Sequence, residues 1–269
     1  MLPPKQKSDV KALNNLIAQI TPYLQGDANY SDFISRRIDA QIEEIKDPYY
    51  YKVAKYYFLF SIGNVEDGTR FAELAVSERP QDVVSWGNYI LCSLNKIGLE
   101  RALELSIRAA ELTNSPRLIR DSFYYARGIG DFKTFDKYLK KYAKLGLLES
   151  EISDDDNASL SLAIHQSDLA NQSGLVDVIA RVGRLMNSFL EPLEQLDSAI
   201  NFYLVDEEEP VTYVLEICPP KITPEKCAEL SLELIRRRAE AGEKSWEVVG
   251  IFATEATKES KGMDHASHC

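Results

Sequence analysis

The stretch DPYYYKVAKYYFLF, residues 47–60, carries seven aromatic rings in fourteen positions. At 100° per residue, Tyr49, Tyr50, Val53, Tyr56, Tyr57 and Phe60 form one broad stripe. Tyr51, Phe58, Leu59 and Ile62 fall on the other side, near Lys52 and Lys55. A helix that is apolar nearly all round is an interior helix. Tyrosine suits such a place, because its ring is buried while its hydroxyl reaches a partner or water. Two readings follow. Either the stretch is shared core between neighbouring helices, or Tyr57 and Phe60 face a ligand groove.

Working outward, the surrounding sequence repeats. SIGNVEDGTRFAELAVSERP (61–80), KIGLERALELSIRAAELTNSP (96–116) and GIGDFKTFDKYLKKYAKLG (128–146) align, with Ile-Gly pairs at 62–63, 97–98 and 129–130. Fainter copies place Gly26 before the first of these and QSGLVDVIARVGRLMNSFLEP, from Gln172, after the last. Each glycine closes one helical pattern before another begins, where a left-handed residue is needed. Pro80, Pro116 and Pro192 lie past the ends of the second helices, where proline stops a helix. The unit is helix, Gly turn, helix, Pro turn, at roughly 34 residues.

This unit resembles the tetratricopeptide repeat. GNVEDG matches that family's Gly-Asp-Tyr-x-x-Ala turn in kind, with Gly68 at the small position, and Ala75 and Pro80 match as well. Trp86, Ala102 and Ala109 fall near the family's Trp and Ala positions, with a turn one residue shorter. The third copy keeps Gly130-Asp131-Phe132 but has Phe135 where a small residue is expected. The resemblance covers about residues 10–192. It implies a right-handed solenoid of antiparallel helix pairs whose first helices line a concave groove. Measured back from each Gly turn, the groove-facing sets are Tyr50, Val53, Tyr57 and Phe60; Ser85, Asn88, Cys92 and Asn95; and Arg117, Arg120, Tyr124 and Arg127.

The last set is basic within an acidic chain. The chain of 269 residues has formal net charge −11, so general nucleic-acid binding, which needs a concentrated basic surface, is not expected. Spacings of 3, 4 and 3 put the three arginines and Tyr124 on one helix face. Guanidinium forks suit carboxylate or phosphate, and Asn88 and Asn95 suit a peptide backbone. The arrangement is similar in kind to tetratricopeptide domains that clamp a partner's acidic tail, without matching them residue by residue. The competing reading pairs these arginines with acids of neighbouring repeats.

After Pro192 the period changes. Residues 201–205 and 211–218 read as strands, rich in β-branched and aromatic residues, joined through DEEEP (206–210). Residues 223–242 read as a helix begun by Thr223-Pro224 and ended by Gly242. Residues 246–256 read as a third strand. The order is β-β-α-β. Three strands leave an open edge that invites strand addition, so dimerisation through 201–256 is an expectation. Residues 201–269 hold 8 Lys and Arg against 14 Asp and Glu, a net of −6.

The fold expected is mostly α: a solenoid over 1–195, a small α/β domain over 196–256 and a tail over 257–269. ESEISDDDNAS (149–159) reads as an acidic loop whose end, at Asp154–Asp156 or Asn157, starts the next helix. No phosphate loop, dinucleotide Gly pattern or nucleophile elbow is present, and Glu216 lacks the following lysine of a nuclease core. No apolar run is long enough for a membrane helix. The cysteines, Cys92, Cys218, Cys227 and Cys269, show no metal or disulfide spacing. His265, His268 and Cys269 sit together in the tail, a set of donors that suits incidental binding of a transition metal. The expectation is a cytoplasmic, non-enzymatic adaptor, chaperone or regulatory subunit without cofactor. It binds a protein or peptide segment, acidic where it meets the arginines. The alternatives are an effector whose C-terminal unit is active and a phosphate-ligand sensor.

Overall fold

The computed structural model describes residues 4–146, 154–206, 212–243 and 246–254. Two compact units are present, Met1–Leu118 and Ile119–Cys269.

In the first unit the aromatic stretch is helix α3, Pro48–Ser61. It follows α1 (Pro4–Leu24) and α2 (Asp32–Glu43) and precedes α4 (Val65–Glu78), α5 (Val83–Lys96) and α6 (Leu99–Thr113). Asp47 starts α3 by accepting the Tyr49 amide at 2.9 Å, and Pro48 occupies the first turn, where its missing N–H costs nothing. Tyr49, Val53, Tyr56, Tyr57, Phe58, Leu59 and Phe60 are all buried, because α3 packs on α1, α4 and α5 together. The phenols then hold the helices in register. Tyr49 Oη donates to Asp82 and pairs with Ser85 Oγ at 2.6 Å. Tyr56 Oη donates to the Ser85 carbonyl at 3.1 Å, and Tyr57 Oη pairs with Thr21 Oγ1 at 3.0 Å. Burial pushes the Tyr57 phenol up to about 12. Within this unit consecutive helices pack on one another, most extensively α3 on α4 and α5 on α6, which is compatible with a helical repeat.

The aligned glycines behave as their positions require. Gly26, Gly63, Gly98, Gly130 and Gly174 have φ of +83°, +83°, +123°, +71° and +71°, a region costly for any residue with a Cβ. Gly68 answers a different need: a methyl there would stand 2.8 Å from the Phe60 ring.

Replacing Tyr49 by Phe removes the bonds to Asp82 and Ser85 while keeping the ring. The expected loss is about 1–2 kcal/mol in urea unfolding. Tyr51→Phe, which gives up only an exposed bond to Glu43 at 3.1 Å, is expected to cost less than about 0.5 kcal/mol.

The division between units falls within α7 (Pro116–Gly128). The second unit continues with α8 (Phe132–Ala143), α9 (Asp154–Ser173), α10 (Val176–Asn187), a short α11 (Pro192–Asp197), strands β1 (Ala199–Asp206) and β2 (Thr212–Cys218), helix α12 (Pro224–Glu240) and β3 (Val248–Phe252). The expected β-β-α-β order is thus present, and α9 begins at Asp154 as expected. The sheet has order β1-β2-β3, with β1 antiparallel to β2 and β2 parallel to β3. Phe202, Leu215 and Gly250 lie side by side in the register. Their face, with Ile200, Ile217, Val248 and Phe252, shares one core with Phe132, Ile179, Val182, Met186 and Leu190. The boundary expected near residue 195 lies inside this unit, and packing runs across it. The DEEEP connection beyond Asp206 and the tail with His265, His268 and Cys269 lie outside the described residues.

Helix α12 lies along the outer edge of β3. Ser231 Oγ accepts the Phe252 amide at 3.1 Å, and Arg238 Nη1 donates to the Val248 carbonyl at 2.7 Å. Leu234, between them, leaves room at Gly250 for hydrogen only, since a Cβ would meet its Cδ2 at 2.6 Å. Of the sheet's two edges, that of β3 is therefore engaged by the chain's own helix, which removes it as a place for strand addition.

Candidate functional site

The basic helix of the sequence reading is α7. Its order along the chain is set by Pro116 at the first turn and closed by Gly130, so the 3-4-3 spacing of Arg117, Arg120, Tyr124 and Arg127 becomes one helix face. Arg117 belongs to the first unit. It is exposed, and its guanidinium lies beside Gly87 of α5, 3.8 Å from where a Cβ would stand. Arg120, Tyr124 and Arg127 belong to the second unit and are half-buried.

Within the second unit, Arg127 Nη1 donates to Ser159 Oγ of α9 at 2.8 Å, a neutral partner. Loss of water lowers the Arg127 guanidinium from its ordinary value, and the neighbouring Tyr124 works against that shift. The group still carries its charge at neutral pH, because an arginine starts far above it. Among the described residues, the ion pairs include none for Arg120 or Arg127. The contrast is Arg184, which reaches Asp131 at 2.7 Å, and Arg108, which reaches Glu73 at 2.7 Å. A partly dehydrated guanidinium on a neutral hydroxyl favours an incoming anion, which would form charge-assisted bonds there.

The other residues of the expected groove stand elsewhere. Tyr57 and Phe60 are 1% and 0% exposed, facing α1 and α4 rather than solvent. Asn95 is 7% exposed, and its amide donates to the Leu91 carbonyl at 2.8 Å. Asn88 is half-buried. On α3 and α5 the face measured back from the Gly turns is thus largely shared interior.

A second site was not legible in the sequence. Glu216 of β2, buried, lies opposite Asn201 in the β1–β2 register. Asn201 Nδ2 donates to its Oε1 at 2.9 Å, Tyr203 Oη to its Oε2 at 3.3 Å, and the Cys218 thiol to Oε1 at 3.4 Å. Glu216 also lines a cleft of about 320 Å³ whose walls include Pro224, Cys227, Ala228, Ser231, Ile251 and Phe252. Burial raises the Cys227 thiol, so it remains protonated at neutral pH and is a poor nucleophile. Glu216 is one carboxylate among neutral donors, without an acid–base partner among the described residues. The signal that could have exposed it is the alternation Asn201, Tyr203 facing Glu216, Cys218, but that pairing depends on the register of β1 against β2.

Among the described residues no group of three or more His, Cys, Asp or Glu is placed to hold a metal, and no helix is long and apolar enough to cross a membrane. No protein-family model, curated protein or solved structure matches the chain.

Proposed function

We propose that the chain is a non-enzymatic interaction module, of the adaptor, chaperone or regulatory-subunit kind, that captures an acidic protein segment on α7. The observation that carries this reading is Arg127: charged, partly dehydrated and bonded only to the neutral Ser159. Tyr124 and Arg120 extend the same face by one and two turns. The likeness of the helix pairs to tetratricopeptide repeats supports it, since that family binds extended segments on first helices and α7 is the first helix of its pair.

The test is a fluorescent peptide rich in Asp and Glu, titrated with the full chain. Arg120→Ala with Arg127→Ala should weaken binding by about tenfold or more, and the loss should shrink as salt rises. Binding by the double variant equal to that of the unaltered chain would remove α7 from the function. Inorganic phosphate that displaces the peptide at millimolar concentration would favour the phosphate-sensor reading instead.

A further inference from the structure

Helix α12 presents two apolar faces and uses one. Cys227, Leu230, Leu234 and the buried stem of Arg238 point into the second unit. A second row, Ala228, Leu232, Ile235 and Ala239, is exposed, with Leu232 at 68% and Ile235 at 50%. Its spacing of 4, 3 and 4 is that of a coiled-coil seam. Isolated exposed leucines are ordinary. A continuous heptad-spaced row is not, and it borders the apolar wall made by Ile251 and Phe252 at the cleft.

The row has a symmetry that selects its occupant. Read backwards, 4-3-4 is unchanged. A two-fold axis between residues 233 and 234 sets Leu232 against Ile235 of a second copy and Ala228 against Ala239, so large meets large at the centre and small meets small at the ends. The flanking position on the solvent side is Glu229 one heptad before Arg236. Antiparallel helices bring such like-named flanks together, so Glu229 of each copy meets Arg236 of the other, twice per pair. Both side chains now bond only within their own helix: Glu229 to the exposed Lys226 at 3.1 Å, and Arg236 to the half-buried Glu233 and the exposed Glu240 at 2.6 and 3.0 Å, surface pairs of the kind that contribute little to stability.

We propose that α12 pairs antiparallel with α12 of a second copy through Ala228, Leu232, Ile235 and Ala239, with Glu229 and Arg236 setting the orientation. A seam of one helix from each copy lies at the small end of specific interfaces, so a dimer dissociating in the micromolar range is expected.

Sedimentation equilibrium of the full chain from about 1 to 200 μM reads the result. The unaltered chain should dimerise, and Leu232→Glu, at a position exposed in the monomer, should be monomeric with unchanged far-UV circular dichroism. Glu229→Arg and Arg236→Glu each place like charges at both contacts and should self-associate about tenfold more weakly. Mixed in equal amounts, these two variants should form a heterodimer as tight as the original, because both contacts become complementary again. A chain that stays monomeric at the highest concentration overturns the proposal. So does a dimer that Leu232→Glu leaves intact, or a mixture no tighter than either variant alone. None of these outcomes depends on acidic-peptide binding at α7.

Discussion

Gly183→Ala should abolish or nearly abolish the native packing of the second unit, with a loss of at least about 3 kcal/mol in urea unfolding. The residue lies inside α10, with no unusual backbone angle to explain a glycine. What it needs is space. A Cβ there would stand 2.1 Å from the Ile129 carbonyl oxygen and 2.9 Å from its carbon. Those are backbone atoms, held where they are by the turn that Gly130 makes at φ +71°. The same α10 face is tied to the turn by Asn187 Nδ2, which donates to the Gly128 carbonyl at 3.2 Å, and by Arg184 on Asp131. The helix can retreat from the clash only by giving up these bonds. Two companions calibrate the claim. At Gly250 the crowding atoms belong to Leu234, Met186 and Val182 at 2.6 to 2.9 Å, side chains that can shift, so Gly250→Ala should cost about 1–3 kcal/mol. At Gly174 nothing lies within 4 Å and only the φ of +71° resists, so Gly174→Ala should cost about 1 kcal/mol. An order of 183, then 250, then 174 supports the packing described. Equal losses at 183 and 174 would show that α10 does not lie on the Ile129 carbonyl.

That order also marks what a sequence can disclose. Gly63, Gly98 and Gly130 were legible because a left-handed turn between two helical patterns is a local demand, written at a fixed spacing. Gly183 was not, because its demand comes from a carbonyl 54 positions earlier. The burial of residues 47–60 was legible from a helix with too few polar positions to face water. Exposure of the residues expected to line a groove was not legible: Tyr57, Phe60 and Asn95 fall on the face where α3 and α5 meet their neighbours, whereas Arg120 and Arg127 are half-buried. Arg238 is the last of three successive arginines, yet it is 3% exposed. Its place four residues after Leu234, itself four after Leu230, sets it on the buried stripe, and β3's edge carbonyl at Val248 supplies the partner that makes burial tolerable. The Glu216 cleft depended on strand register, which is a long-range fact.

In the first unit, the largest expected effect is at Trp86. Trp86→Ala should destabilise by about 3–5 kcal/mol, the range for emptying a buried tryptophan site. The ring is fully buried on α5, stacked near Tyr89 at 6.5 Å between centroids, with the Arg108 guanidinium 5.0 Å from its centre. Its Nε1 donates to the Pro80 carbonyl at 3.0 Å, which fixes the turn between α4 and α5. Trp86→Phe keeps most of the ring contact and loses that bond, so about 1–2 kcal/mol is expected. Native-state hydrogen exchange separates a local loss from a shared one. Tyr56 of α3 donates to the Ser85 carbonyl, next to Trp86, and helices stacked as neighbours lose stability together. Protection of α3 amides should therefore fall alongside that of α5 in the alanine variant. Faster exchange confined to α5, with α3 unchanged, would mean that the tyrosine contacts do not couple the two helices and that the aromatic stretch stabilises itself without its neighbour.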